Sequence, residues 1–426
     1  MIHALQAIER LGTIEQVQGL KLIANGPPHA FVGELCELLN AENKVIGQAE
    51  VIAFAQGKVH LMPFEEGIIG MGYQVRATGS CVEIKVGDFL LGKAIDAFAH
   101  SINGPDPHLH GTWITTRNKK TNPFQRQSIS TPLNTGVAAI DALLPFGEGQ
   151  RTGIFAGSGV GKSTLLSTMA QHIESDVNVI ALIGERGREV TEFITRLDEN
   201  TRKKTVLIIA CSDESALMRK QAAYTATTVA EYFCQQGQRV MLFMDSITRF
   251  AMALREIGLS LGEPPTARGY TPSVFASLPS LVERTGNFKG QGSISALYTV
   301  LVEGDDFNEP LADHMRSLLD GHIVLSRTLA QQGHYPAIAI TQSISRLSSQ
   351  LFSEKEQQVL HQVISLISVY SQHQELIQLG AYKPGNNPLL DKAVSRIERI
   401  NTFLTQKENA SNTTAALLSQ LEEILQ

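Results

Sequence analysis

The sequence predicts an α/β protein in three parts: a small N-terminal β-barrel or sandwich, a central domain on a parallel sheet, and a helical C-terminal domain. Three observations carry that expectation. Short apolar or alternating runs crowd the first 86 residues. Near-continuous apolar strands alternate with helical stretches between about 151 and 341, and the pattern turns wholly helical after 353. The expected domain limits are 1–86, 87–348 and 349–426.

In the first part, runs at 20–22, 51–54, 58–62 and 82–86 are separated by turns such as Glu66-Gly67 and Met71-Gly72, the close spacing of a small barrel. Residues 1–10 suit one or two helical turns. A Pro-, Gly- and Asn-rich connector follows over 101–135, with turn signals at 103–107, 118–123 and Thr131-Pro132. A connector of that length packs across a neighbouring surface or has a function of its own. Expected central strands are 151–156, 177–183, 205–211, 239–244, 293–302, 322–325 and 337–341, with helices at 214–233 and 247–257 among them. Helices are expected at 354–379, 389–405 and 414–425, with a break at 380–388 and a short polar tract at 409–414.

With 426 residues, 43% hydrophobic and 18% charged, the chain reads as an ordinary globular protein. Its net charge of −6 argues against a broad basic face that grips nucleic acid. Cys36, Cys81, Cys211 and Cys234 are scattered without metal-ligand spacing, which suits free thiols. The opening MIHALQAIER lacks the basic-then-apolar pattern of a secretory signal, and no run of about 18 apolar residues predicts a membrane span. Membrane association is therefore expected only through partners.

The segment RTGIFAGSGVGKSTLLST (151–168) carries the chemistry. Strand, glycine-rich turn and helix follow one another, and small residues let successive N–H groups turn inward around phosphate oxygens. Gly157, Ser158, Gly159, Val160 and Gly161 form the turn. Lys162 is placed for the β/γ-phosphates, Ser163 for Mg²⁺, and Thr164 follows. The first position of the G-x-x-x-x-G-K-[ST] pattern is Ala156, which costs little if it stays strand-like.

Other groups gather around this loop in sequence terms. Asp245 closes an apolar strand, as a carboxylate beside Mg²⁺ does, although a strand-closing Asp also serves as a helix N-cap. In GERGRE (184–189), Glu185 suits water activation, Arg186 the γ-phosphate and Glu189 a Mg²⁺-bound water; a solvated salt-bridge cluster is the alternative. Arg346, just past an expected strand, is either an arginine finger or a surface arginine. Tyr335 before Pro336 suits adenine stacking or core packing, and Glu303, Asp305 and Asp306 read as a solvated acidic loop.

Together these pieces resemble the rotary ATPase family, with its F1-like P-loop domain, and most closely its type III export branch. The resemblance rests on FAGSGVGKST (155–164), ALIGERGREV (181–190), GEPPTARGYTPSVFASLPSLVERTG (262–286), LYTVLVEGDDFNEPLADHMRSLLDGHIVLSR (297–327) and GHYPAIAITQSISR (333–346). It implies an ATP hydrolase that assembles as a homohexamer with nucleotide at subunit interfaces. It also implies Mg²⁺ and ATP as ligands and Glu185 as catalytic carboxylate. Arg186 and Arg249 match arginines near the γ-phosphate, Tyr335 the adenine-contacting aromatic, and Arg346 the arginine given by the adjacent protomer. The implied partners are an export-apparatus stalk, a regulator and chaperone–substrate complexes, with a cytoplasmic location at the inner face of the membrane and no nucleic acid. Flagellar relatives often carry a longer N-terminal regulator-binding segment, whereas about ten residues precede the β part here, a departure from the family pattern at that contact. The loop form FAGSGVGKS and residues 122–126 look more flagellar than injectisome-like. A nucleotide-gated scaffold and a hexameric RNA translocase are the readings from other classes.

Overall fold

The computed structural model describes residues 9–105, 111–117, 121–406 and 413–426. The helical expectation for 1–8, the connector residues 106–110 and 118–120, and the polar tract 407–412 lie outside the described residues.

Six strands, Leu11–Gln18, Lys21–Asn25, Leu35–Leu39, Val45–Ala55, Lys58–Pro63 and Gln74–Ala77, close into an antiparallel barrel. The first strand pairs with both the second and the last, so no edge is left open. Alternate side chains such as Ile14, Leu22, Leu38, Val51, Leu61 and Val75 point inward and fill it. The run at 82–86 is a correction. Strand Glu83–Val86 stands outside the barrel, pairs antiparallel with Thr112–Thr115 of the connector, and buries Ile84 and Val86 in the core of the central domain. Its alternation is genuine, but alternation does not say which sheet receives the apolar face.

The central sheet runs in the order Ile344–Ser345, Gly321–Leu325, Arg151–Ala156, Ser293–Leu301, Arg239–Asp245, Val177–Ile183, Thr205–Ala210 and Ala94–Ile95. The six longer strands are parallel. Both faces are covered, which explains their near-continuous apolar sequence. Val177, Val179, Ala181 and Ile183 face helices Ala216–Gln235 and Ile247–Ser260, while Ile180 and Leu182 face helices Lys162–His172 and Gly187–Arg196. The expected strand at 337–341 is absent. Only Ile338 bridges to Leu325, a 3-10 turn takes Ile340–Gln342, and the edge strand is the antiparallel pair Ile344–Ser345. Pro336 has no N–H for a ladder, so the apolar run packs without extending the sheet.

Helices Glu354–Gln378, Pro388–Leu404 and Thr414–Leu425 pack against one another and against Ala138–Leu143. Leu390, Ala393, Ile397, Ile400 and Leu404 form the inward stripe of the second. Ser353 and Glu356 make a capping box that starts the first. Among the described residues no helix is long and apolar enough to cross a membrane.

Candidate active site

Parallel strands deliver their following loops to one edge of the sheet, and the chemistry-bearing residues gather there. Ala156 ends its strand buried and extended, so its methyl is accommodated where the pattern usually has glycine. The loop then turns through Gly159 and Gly161, at φ 77° and 88°, a left-handed backbone that glycine adopts freely. Gly161 caps helix Lys162–His172, whose first N–H groups and dipole open toward the loop. Val160 is buried, Ser163 exposed and Thr164 half-buried; the Thr164 hydroxyl accepts from Arg196 Nη1 at 2.8 Å.

Lys162 is the centre of the cluster. Its ammonium donates to Asp245 Oδ1 and to Glu185 Oε1, the latter at 3.3 Å. Asp245 is the last residue of its strand and is buried, and Glu185 lies two residues past the end of strand Val177–Ile183. Burial works against the Lys162 charge, but the two carboxylates outweigh it and its pKa is raised. Burial also lifts the Glu185 carboxyl above the ordinary carboxylate range; Lys162 opposes that rise and the adjacent Glu189 reinforces it. The result is a cation held between two acidic groups, ready to exchange partners with an incoming polyanion.

Arg186 is exposed at the N-cap of helix Gly187–Arg196 and pairs with Glu189 at 3.4 Å. Arg249 lies in the first turn of helix Ile247–Ser260, directly after Asp245 and Ser246, and its stem packs on Gly184 next to Glu185. Its Nε is buried without a partner. Tyr335 follows strand Gly321–Leu325 with the short helix Arg327–Gln331 between them. It helps line a cleft of about 520 Å³ with Gly159, Val160, Gly161, Thr164, Thr168, Val137 and Gln406. Part of that cleft is apolar, as a base-binding space requires.

Arg346 is not brought to this edge. Its N–H donates to Asp320 O and its guanidinium to Arg316 O at 3.0 Å, at the opposite end of strand Gly321–Leu325. At about 3.3 Å per residue, that strand puts roughly 16 Å between Arg346 and its own phosphate loop.

Three contributors escaped the sequence reading. Thr299, buried inside strand Ser293–Leu301, donates its hydroxyl to Asp245 Oδ1 at 2.7 Å. Thr248 Oγ1 accepts from Leu301 N at 2.8 Å and ties helix Ile247–Ser260 to the same strand. Gln406, just past helix Pro388–Leu404, lines the cleft and bridges Gly136 O and Ala138 N. A threonine in an apolar run and a lone glutamine carry no local signal. Glu303 and Asp305 are exposed as expected and Asp306 is half-buried, yet the acidic turn is ion-paired: Asp305 with Arg327, and Asp306, with the buried Glu309 beyond it, with Arg268.

No group of three or more His, Cys, Asp or Glu side chains among the described residues forms a self-sufficient metal cage. The donors present, the exposed Ser163 hydroxyl with the Asp245 and Glu189 carboxylates, fit Mg²⁺, which keeps waters and takes phosphate oxygens with few protein ligands.

A glycine loop at a helix N-terminus, with a strand-ending carboxylate beside it at the carboxyl edge of a parallel sheet, defines a nucleotide-binding ATPase domain. Residues 136–345 match the ATP synthase alpha/beta family nucleotide-binding domain, and 352–423 match the type III secretion EscN ATPase C-terminal domain. The flagellum-specific ATP synthase of Bacillus subtilis is 46% identical over 409 residues, covering 95% of this chain and 93% of that protein. The type 3 secretion system ATPase of Xanthomonas euvesicatoria is 42% identical over 404 residues, covering 94% and 89%. The structure of the assembled ATPase EscN from the enteropathogenic E. coli type III secretion system superposes with a TM-score of 0.92 at 41% identity, covering 97% of this chain and all of that one. The chain belongs to the family of flagellum-specific ATP synthases and type III secretion ATPases, and it is an ATPase whose substrate is ATP.

Proposed function

We propose that the chain hydrolyses Mg²⁺·ATP at the seams of a homohexameric ring and so energises protein export, in a flagellar system rather than an injectisome. The observation that carries this reading is the separation within one chain: Lys162, Glu185 and Asp245 cluster at the phosphate loop while Arg346 lies at the other end of the sheet. A neighbouring copy is then needed to supply Arg346.

On this reading Gly157, Ser158, Gly159, Val160 and Gly161 cradle the phosphates and Tyr335 stacks on adenine. Lys162 leaves its carboxylates for the β/γ-phosphates, which frees Glu185 to orient the attacking water and take up its proton. Arg186 and Arg249 face the γ-phosphate, and the neighbour's Arg346 neutralises charge as the bond to the leaving oxygen breaks. Ser163, Asp245 and Glu189 would hold Mg²⁺. Bound Mg²⁺ supplies charge neutralisation on the phosphate oxygens.

The ring and stalk parts of the proposal draw support from the EscN structures, described as assembled and as a complex with the central stalk EscO. By the same reading the barrel helps hold the ring together. The C-terminal helices meet export substrates and their chaperones in the cytoplasm, at the inner face of the membrane, and an export-apparatus stalk and a regulator are the further partners. ATP turnover per chain, measured against protein concentration alongside mass photometry, tests the seam: turnover must rise as oligomers form. Restoration of motility to a strain lacking its flagellar ATPase tests the flagellar assignment. Restored effector secretion in an injectisome mutant without restored motility would reverse it.

A further inference from the structure

The strand that leads into the phosphate loop has a neighbour on each side, Ser293–Leu301 and Gly321–Leu325, and all three end level, with Ala156 opposite both Leu301 and Leu325. The two flanking strands are joined across the exit of the middle one. Asp305 follows the first, Arg327 follows the second, and the two form an ion pair with Arg327 Nε 3.2 Å from Asp305 Oδ2.

The other ends of the pair rest on Gly157, the first residue of the loop. A Cβ built on Gly157 would lie 2.8 Å from Asp305 Oδ1 and 2.9 Å from Arg327 Nη2, so the two side-chain ends sit directly on the loop's first residue and any larger residue there would push them aside. Both partners are themselves fixed. Arg327 opens helix Arg327–Gln331, which is capped by the Ser326 hydroxyl. Asp305 has φ 57°, a left-handed backbone that Asp tolerates through its short polar side chain. Asp306 and Glu309 of the same turn are held by Arg268.

We propose that Asp305 and Arg327 are positioning residues for ATP binding: an ion-paired strap over Gly157 that sets where the phosphate loop leaves its strand. The inference rests on residues 157–164 binding the phosphates. The pair is partly exposed and adds little to global stability. Its effect is local, because the direction of the loop's first peptide fixes where every later N–H points.

The test compares Asp305→Asn, Arg327→Gln, Arg327→Lys and the Asn/Gln double variant in the full-length protein, with Lys162→Ala as control. Asn keeps the size and the left-handed tolerance of Asp305 while removing its charge. ATP kinetics, binding of a fluorescent ADP analogue and thermal unfolding are read together. For residues coupled in one unit, each single variant should raise KM and the ADP-analogue Kd about five- to tenfold, with kcat within about twofold. The double variant should be no worse than either single, Arg327→Lys should recover part of the loss, and the unfolding temperature should stay near parental. Parental KM and Kd in both single variants, or additive losses in the double, would overturn the strap. A Lys162→Ala protein that still binds and hydrolyses ATP normally would instead overturn the phosphate-loop reading beneath it.

Discussion

Thr299 and Lys162 converge on one atom: the threonine hydroxyl donates to Asp245 Oδ1 at 2.7 Å, and the Lys162 ammonium contacts the same oxygen. The threonine comes from the neighbouring strand and is fully buried, so it stays in place when Lys162 swings to a nucleotide. Thr299→Val keeps the shape and removes the donor. A hydrogen bond to a charged group is worth about 1.5–3 kcal/mol, so kcat should fall roughly tenfold or more, with Thr299→Ser recovering most of it. Steady-state kinetics across a Mg²⁺ titration measure this, and parental kcat in the valine variant would exclude the role.

Glu185→Gln preserves the side-chain length and an acceptor for Lys162 but cannot take a proton. Turnover should drop about 100-fold or more, the scale of general-base catalysis, while the fluorescent ADP analogue still binds. Lys162→Ala should lose both. Glu185→Gln turning over at the parental rate would reassign the base.

Arg346→Ala should lower turnover by about 10³, the scale of an arginine finger, with oligomer size by gel filtration unchanged. Mixing it with the Lys162→Ala protein creates seams in which an intact loop meets an intact arginine. Partial recovery in the mixture is the expected result, and no recovery at any ratio counts against supply from the neighbour.

Arg284 is buried, forms a paired contact with Glu231 through Nε and Nη2, and donates to Thr116 O and Thr228 Oγ1. It ties the connector to the sheet domain. Arg284→Ala leaves Glu231 a poorly solvated charge and should cost about 3 kcal/mol, visible as a lower urea midpoint. A midpoint shift near zero would show that water reaches Glu231 freely.

The phosphate loop was legible because its conformation is local: glycines set the turn and the residues after it start the helix. Asp245 and Glu185 were legible for a related reason, since parallel strands send their exits to one edge. What stayed hidden depends on which strands become neighbours. Thr299 meets Asp245 because Ser293–Leu301 pairs with Arg239–Asp245, and Asp305 meets Arg327 only across the strand between them. The run at 337–341 is apolar enough for a strand, but Pro336 and packing decide otherwise. Strand Glu83–Val86 is legible as a strand but its sheet is not, because its partner, Thr112–Thr115, lies in a connector that reads as turns.

The separation of Arg346 from its own phosphate loop sets a counting rule for assembly. On the seam reading, a closed circle of copies equips every phosphate loop, whereas an open arc always strands one loop at one end and one arginine at the other. Catalytic capacity per chain then reports whether the circle has closed, and any factor that fastens the last gap acts as an activator without touching a nucleotide.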